Sequence, residues 1–173
     1  MATRRHLIAF GLGLPALLAG CGWEPLYADR DTEAASADLR AIRVIPIAAR
    51  VGQKLEFALR DALNPSSEPT KQLYSLQVTV STALSDLGVQ SQGLGTRGDA
   101  HVYATYKLTD IASNKLLQTN SIHTIESFDI QANGYSTVVA QEDAFKRCDE
   151  QIRREIVGRL TLFLQSRKAT AAS

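Results

Sequence analysis

The sequence predicts an α+β domain in which two helices pack on one face of a four-stranded mixed sheet, in the order β-α-β-β-β-α. Two stretches carry apolar residues at helical spacing, and the long stretches between them alternate apolar and polar residues, as strands with one buried face do. Placing both helices on the same side of the sheet buries every apolar stripe. The first crossover is long enough for a parallel strand pair, whereas short turns join the later strands, so the sheet should be mixed.

Composition places the chain among ordinary globular proteins. It has 173 residues, of which 45% are hydrophobic and 21% charged, so it suits one domain and is too apolar to be disordered. A formal charge of +1 argues against a nucleic-acid binder that relies on bulk electrostatics. Two cysteines exclude a disulfide-rich scaffold and a four-cysteine zinc site, and no cofactor is predicted.

Residues 1–20 are predicted to be a lipoprotein signal peptide. Arg4-Arg5 forms a basic start, and Leu7–Leu18 is an apolar run that is too short and interrupted to span a membrane. Small residues then precede Cys21, the pattern that lipoprotein processing requires. We therefore expect cleavage before Cys21 and acyl chains on it, which anchor a protein stably. An ordinary secretory peptide with a chance cysteine is the alternative, and export by the general or the twin-arginine route stays open.

Residues 21–38 are predicted to be the lipidated N-terminus and a tether. Gly22, rather than Asp, follows the cysteine, which favours sorting to the outer membrane. Trp23 and Tyr27 lie close to the expected lipid, where aromatic rings suit the headgroup level or a partner in the membrane. Packing beneath the domain is the alternative for both rings.

The folded domain is predicted to span residues 39–168 and to begin with a strand and a helix. Leu39–Ile47 is rich in Ile and Val, which favours a strand, and Pro46 indicates an end or edge position because proline cannot donate to the ladder. From Arg50 the apolar period becomes helical, and Asn64-Pro65 ends that helix.

Three further strands are predicted. Lys71–Leu84 and Asp99–Asp110 alternate, and Gln90–Gly98 between them is expected to be a glycine-rich hairpin loop. Ser113-Asn114 favours a tight turn. Leu116–Ile130 alternates imperfectly, which predicts a bulge.

The last element is predicted to be a long helix from Thr137 to Gln165, with Ser136 as its N-cap. Its apolar stripe includes Cys148, which we expect to be a small buried side chain, with a reactive thiol as the alternative. Its charged residues are predicted to form a solvated face. Residues 169–173 are expected to be a frayed tail.

No catalytic constellation emerges from the sequence, so the chain is not predicted to be an enzyme. Gly93–Gly98 matches G-x-G-x-x-G but opens a strand rather than a helix, which favours a hairpin loop over a nucleotide site. His101 and His123 lie on strands without ligand-spaced partners, which favours cross-strand polar pairs over a metal site. A turn centred on Ser113-Asn114 would place His101 opposite Glu126.

Arg97 is the loop residue with the strongest case for binding. It is expected at an exposed hairpin tip among glycines, which let a ligand approach closely. A guanidinium there suits bidentate contact with a phosphate. A plain exposed loop arginine is the alternative interpretation.

Four segments form an ordered set along the chain. Cys21–Tyr27 reads C-G-W-E-P-L-Y, and Arg50–Leu55, Thr96-Arg97 and Tyr135–Arg147 follow it. In the same order, they resemble four motifs of one branch of the lipopolysaccharide-assembly lipoprotein family, LptE. Those motifs are C-G-aromatic-x-P-L-Y, R-x-G-Q-x-L, T-R and Y-x-x-x-V-A-E-x-D-A-x-x-R. Gln141 stands where that branch has an acid. Each motif is weak alone, but their order together with the lipobox is specific.

The resemblance implies a non-catalytic lipoprotein on the periplasmic side of the outer membrane. Members of the family plug the lumen of the β-barrel LptD, help it assemble, and take part in delivering lipopolysaccharide to the outer leaflet. For this chain it implies three partners: LptD, in a one-to-one complex, lipopolysaccharide, and the membrane through acyl chains on Cys21. Arg97, and to a lesser degree Lys115 at the opposite hairpin turn, are the candidate contacts to lipopolysaccharide.

Two rival functions stay open. A lipoprotein accessory of another envelope machine, such as a secretin pilot or an efflux component, shares the lipobox and a small α+β domain but has a different partner. A lipid-anchored periplasmic enzyme is disfavoured by the missing acid-base pair.

Overall fold

The predicted architecture is confirmed. The computed structural model describes residues 37–48, 50–67, 70–89 and 95–172. In chain order its elements are β1 (Ile42–Val44), α1 (Arg50–Leu63), β2 (Tyr74–Val89), β3 (Gly95–Asp110), β4 (Leu116–Asp129) and α2 (Gly134–Ala172). The strands form one sheet in the order β1-β2-β3-β4, with β1 parallel to β2 and the other pairs antiparallel. The sheet is therefore mixed.

β1 is shorter than the predicted strand Leu39–Ile47. Residues 37–40 form a helical turn, in which the amide of Ala41 donates to the carbonyl of Ala37 at 3.2 Å. At the other end, the Ile47 amide donates to Glu56 Oε2 of α1 at 2.8 Å instead of joining a ladder. Local hydrogen bonds thus shorten the strand at both ends. Its edge position, which Pro46 indicated, is confirmed.

Both helices pack on the same face of the sheet, as predicted. The main core joins the two helices to alternate residues of the three long strands. The residues of β2, β3 and β4 in it are Leu76, Val78, Val102, Ala104, Tyr106, Leu108 and Ile122, and β1 adds Ile42 and Val44. The helix residues in it are Leu55, Leu59, Leu63, Cys148, Ile152, Ile156, Leu160 and Leu164. Buried residues that recur at every second position of the strands and every 3.6 positions of the helices therefore form one continuous core layer.

β3 begins earlier than predicted, which corrects the loop Gln90–Gly98. Gly95–Gly98 pairs with β2, and Gly98 also pairs with Phe128 of β4. A Cβ on Gly98 would lie 2.6 Å from Phe128 Cζ, so this aromatic ring occupies the space of the missing side chain. The glycine serves strand packing here rather than a hairpin tip. Residues 90–94 lie outside the described residues.

The turn between β3 and β4 and the predicted bulge are confirmed. Asn114 has a positive φ of 52°, and Asp110 Oδ1 accepts hydrogen bonds from the amide and hydroxyl of Ser113 at 2.9 and 3.0 Å. The register shifts beyond Leu108, because Gln118 pairs with Leu108 but Leu116 pairs with Thr109. Leu117 is therefore the extra residue of a bulge.

α2 begins and ends outside its predicted bounds. It starts at Gly134, and Asn133 Oδ1 accepts a hydrogen bond from the Tyr135 amide at 3.0 Å. Asn133 rather than Ser136 is thus the capping residue, since asparagine satisfies a free amide of the first turn. The helix continues to Ala172, through residues 169–172 of the predicted tail.

Candidate interaction face

The side of the sheet opposite the helices is polar and exposed over most of its area. We call it the open face. It contains Ser81, Ser85, Arg97, Asp99, His101, Tyr103, Thr105, Lys107, Ser121, His123, Ile125, Ser127 and Asp129. Within the described part of the chain, no helix packs against it. Hydroxyl pairs such as Thr105 Oγ1 and Ser121 Oγ, 3.0 Å apart, cross it between strands. The predicted alternation, with one buried and one polar face of the strands, is confirmed.

Arg97 lies within β3 rather than at a hairpin tip, which corrects its predicted location. It pairs with Leu87 of β2 and Asp129 of β4, and its side chain is exposed. No carboxylate of the described residues lies within the 4.0 Å ion-pair distance of its guanidinium. A strand that is paired on both sides therefore presents an exposed guanidinium to solvent near one end of the open face.

Lys115 lies at the opposite end of the same hairpin. It is exposed beside the turn, where its carbonyl accepts a hydrogen bond from the Asp110 amide at 2.9 Å. β3 separates the level of Arg97 from that turn by roughly 40 Å. The structure therefore does not bring the two predicted cations into one site.

The predicted alignment of His101 with Glu126 was wrong by one residue, and the side chain of His101 contacts His123 instead. His101 lies opposite Ile125, and its Nδ1 is 3.2 Å from His123 Nε2. The first backbone bond of the turn joins Asp110 to Lys115, so the turn is centred one residue earlier than Ser113-Asn114. The earlier centre of the turn and the bulge at Leu117 together place Ile125 rather than Glu126 opposite His101.

Glu126 instead points to the helix face, where it meets Arg147. Arg147 Nε donates to Glu126 Oε2 at 2.9 Å, and Nη2 donates to the Ser127 carbonyl at 3.0 Å. Arg147 also pairs with Asp143 one helical turn earlier. Sequence reasoning placed Arg147 on a solvated face and missed this link between α2 and β4. The motif that contains Asp143 and Arg147 was the available signal.

Cys148 is buried, as predicted for a structural side chain. Its side chain is fully inaccessible, and its thiol lies 3.6 Å from the carbonyl oxygen of Ala100. Burial raises the pKa of the thiol, which disfavours the thiolate that reactivity requires. The geometry therefore favours packing over chemistry at this position.

Several predictions concern residues that the structure does not describe. Cys21, Trp23 and Tyr27 lie in the segment 1–36, so the lipidation site and the aromatic pair lie outside the described residues. Among the residues described, no helix has the length and apolar content needed to cross a membrane. The same residues contain no group of three or more His, Cys, Asp or Glu side chains arranged for a metal ion.

Known structures share this fold. A presumed lipoprotein from Caulobacter crescentus matches with a TM-score of 0.60 and 20% identity, over 78% of this chain and 97% of that one. A minor lipoprotein from Acinetobacter baumannii matches with a TM-score of 0.54 and 16% identity, over 71% and 92%. The rare lipoprotein B of Shewanella oneidensis matches with a TM-score of 0.48 and 12% identity, over 76% and 100%.

The first two matches show that the chain has the fold of small bacterial lipoproteins. They cover nearly the whole length of the matched chains. No protein-family model matches the sequence. A search of curated proteins finds no relative.

Proposed function

We propose that this protein is an outer-membrane lipoprotein that plugs the LptD β-barrel, helps it to assemble and takes part in delivering lipopolysaccharide to the outer leaflet. Three observations support the proposal: the lipobox before Cys21, the ordered set of four motifs, and a fold shared with lipoproteins. The observation that carries it is the ordered set of four motifs, because these point to LptD, whereas the lipobox and the fold support a lipoprotein more generally.

The open face suits a position inside a barrel. The lumen of an outer-membrane barrel is polar and water-filled, so a plug needs hydrophilic surfaces rather than a large apolar patch. The open face meets this need with hydroxyl, carboxylate and cationic side chains. Its largest exposed apolar groups, Tyr103 and Ile125, lie among polar neighbours.

The motif residues divide into two groups by their contacts. Gly52, Asp143 and Arg147 each maintain the fold: Gly52 lets Ile47 approach α1, and the other two belong to the link between α2 and β4. Arg97 makes no ion pair with any described residue and is exposed. Its position is therefore available for an anionic ligand, and the phosphates of lipopolysaccharide are anions that a guanidinium binds bidentately.

Affinity purification tests the partner. The full lipidated protein is purified from outer membranes in mild detergent, and co-eluting proteins are identified by mass spectrometry. An LptD-type barrel in about equal amount supports the proposal. A different envelope machine would instead support the accessory alternative, and absence of any stoichiometric partner would contradict both.

A matched pair of variants tests the ligand contact. Arg97→Gln removes the charge without setting a new carboxylate beside Asp129, and Lys107→Gln is the control because it lies exposed on the same strand and face. Binding to purified lipopolysaccharide should weaken in Arg97→Gln and stay unchanged in Lys107→Gln. Equal affinity of both variants and the unaltered protein would refute the role of Arg97.

A further inference from the structure

Two imidazoles from adjacent strands meet on the open face. His101 Nδ1 and His123 Nε2 are 3.2 Å apart. The ring centroids are 5.4 Å apart and the planes differ by 12°, so the rings lie side by side with these nitrogens directed at each other. In this geometry one of the two nitrogens carries a proton and donates it in a hydrogen bond to the lone pair of the other.

Neighbouring side chains hold both rings in place. Ser85 Oγ lies 3.1 Å from His101 Nε2, so a proton on Nε2 can be donated to the hydroxyl, which leaves a lone pair on Nδ1. The Tyr103 ring stacks on His123 with centroids 4.1 Å apart and planes within 4°. Metal-binding histidines are commonly oriented in this way by a hydrogen bond to their second nitrogen.

We infer that His101 and His123 form a binding site for one divalent transition-metal ion, with Cu²⁺ the preferred ion. Two imidazole nitrogens on one ion, each at about 2.0–2.1 Å, are separated by about 2.9–3.4 Å for angles between square-planar and tetrahedral. The observed 3.2 Å lies in that interval. On binding, each ring turns its inner lone pair toward the ion, and the proton of the hydrogen bond between the two rings moves to the outer nitrogen of the same ring.

The two imidazole ligands explain why Cu²⁺ is the preferred ion. Imidazole suits copper, nickel and zinc, and copper stands highest in the general order of divalent affinities. Asp99 lies two residues before His101 on the same face, but its Oδ1 accepts a hydrogen bond from Ser127 Oγ at 2.6 Å. The remaining coordination positions face solvent, so water or an anionic group of a partner completes the site.

Metal titration of the full-length protein in mild detergent, without a polyhistidine tag, tests the inference. Calorimetry with Cu²⁺ should show one ion per chain, and electron paramagnetic resonance should show coupling to two nitrogens. Affinity should fall by more than about tenfold in His101→Gln and in His123→Gln, and by about tenfold in Ser85→Ala. Lys107→Gln, on the same face, should leave affinity unchanged.

The inference is overturned if the double variant His101→Gln/His123→Gln binds Cu²⁺ as tightly as the unaltered protein, or if the resonance shows one nitrogen. Thermal melting followed by circular dichroism separates loss of binding from loss of fold. Both histidines lie on a face without described helices, so the variants should melt close to the unaltered protein. Ser85→Ala gives an independent readout, since it leaves both imidazoles in the chain.

Discussion

The two faces of the sheet use the same strands for different purposes. Along β3, Val102, Ala104 and Tyr106 are at most 1% exposed beneath the helices, whereas Tyr103 between them is 44% exposed on the open face. Because apolar burial stabilises by about 25 cal/mol per Å², stability is concentrated on one side of a shared backbone. The other side can then hold cations, imidazoles and hydroxyls at fixed positions without contributing much to the core.

Substitution of neighbouring residues on opposite faces should give the largest contrast. Leu108 is fully buried and Lys107 is exposed. Leu108→Ala removes apolar contacts and leaves a cavity, so it should lower the free energy of unfolding by about 2–5 kcal/mol. Lys107→Ala should change it by less than about 0.5 kcal/mol. Urea unfolding followed by circular dichroism measures both, and similar losses would contradict the division between the faces.

Alanine substitution of two glycines should distinguish a backbone position that is packed against a side chain from one with no neighbour. In Gly98→Ala the new methyl group meets the ring of Phe128, which is itself 8% exposed, so overpacking should cost about 1–3 kcal/mol. Gly158→Ala is the matched control, because nothing lies within 4 Å of its added Cβ in the middle of α2. That change should stabilise the protein by about 0.5–1 kcal/mol through helix propensity. Destabilisation by both substitutions would refute the packing argument.

The face of the sheet beneath the helices was predicted well from the sequence, because burial makes apolar residues recur at a fixed spacing. Alternation in β3 and the helical stripe around Ile152 and Ile156 are direct consequences of contact with one core. The open face obeys no such constraint, so its contacts depend on register. One bulged residue, Leu117, and a turn centred one residue earlier were sufficient to place Ile125 rather than Glu126 opposite His101.

Ends of elements were predicted less well, since local hydrogen bonds decide them. The carboxylate of Glu56 takes the amide of Ile47 and contributes to the early end of β1, and the amide oxygen of Asn133 starts α2 before Ser136. Neither contact has a periodic signal in the sequence. Arg97 shows the same limit at the candidate site: its residue type and exposure were predictable, but its place within a strand depended on pairing with two neighbours.

Asp149 of α2 is a polar exception on the helix side of the sheet. The pH dependence of the free energy of unfolding should show this. The Oδ1 of Asp149 is buried without a hydrogen-bond partner, and burial raises the pKa of this side chain to about 6, although Lys54 opposes the shift. The protonated acid is favoured in the fold, so this contribution to stability is present below pH 4 and lost as pH rises toward 6. Asp149→Asn should therefore stabilise the protein at pH 7 by about 1 kcal/mol, after discounting for solvent screening.

Unfolding of Asp149→Asn at several pH values measures this effect. The stabilisation should shrink as pH falls from 7 to 4, where the aspartate is itself neutral. Glu150→Gln is the control: Arg153 holds the pKa of Glu150 below its ordinary value, so this substitution should not stabilise the protein at pH 7. A gain that is independent of pH would assign the effect of Asp149→Asn to something other than its charge.

The smallest expected effect lies at the edge of the sheet, at the link between α2 and β4 on the helix side. Arg147→Met removes the contacts to Glu126 and to the Ser127 carbonyl and should cost about 0.5–1 kcal/mol, because the ion pair is partly exposed. Arg154→Met is the control, since Arg154 is 63% exposed and its pair with Glu150 spans 3.6 Å within one helix. That variant should stay within about 0.3 kcal/mol. Amide hydrogen exchange should then quicken in α2 near residue 147 in Arg147→Met but not in Arg154→Met, because Arg147 joins α2 to Glu126 of β4, whereas the partner of Arg154 lies on α2 itself.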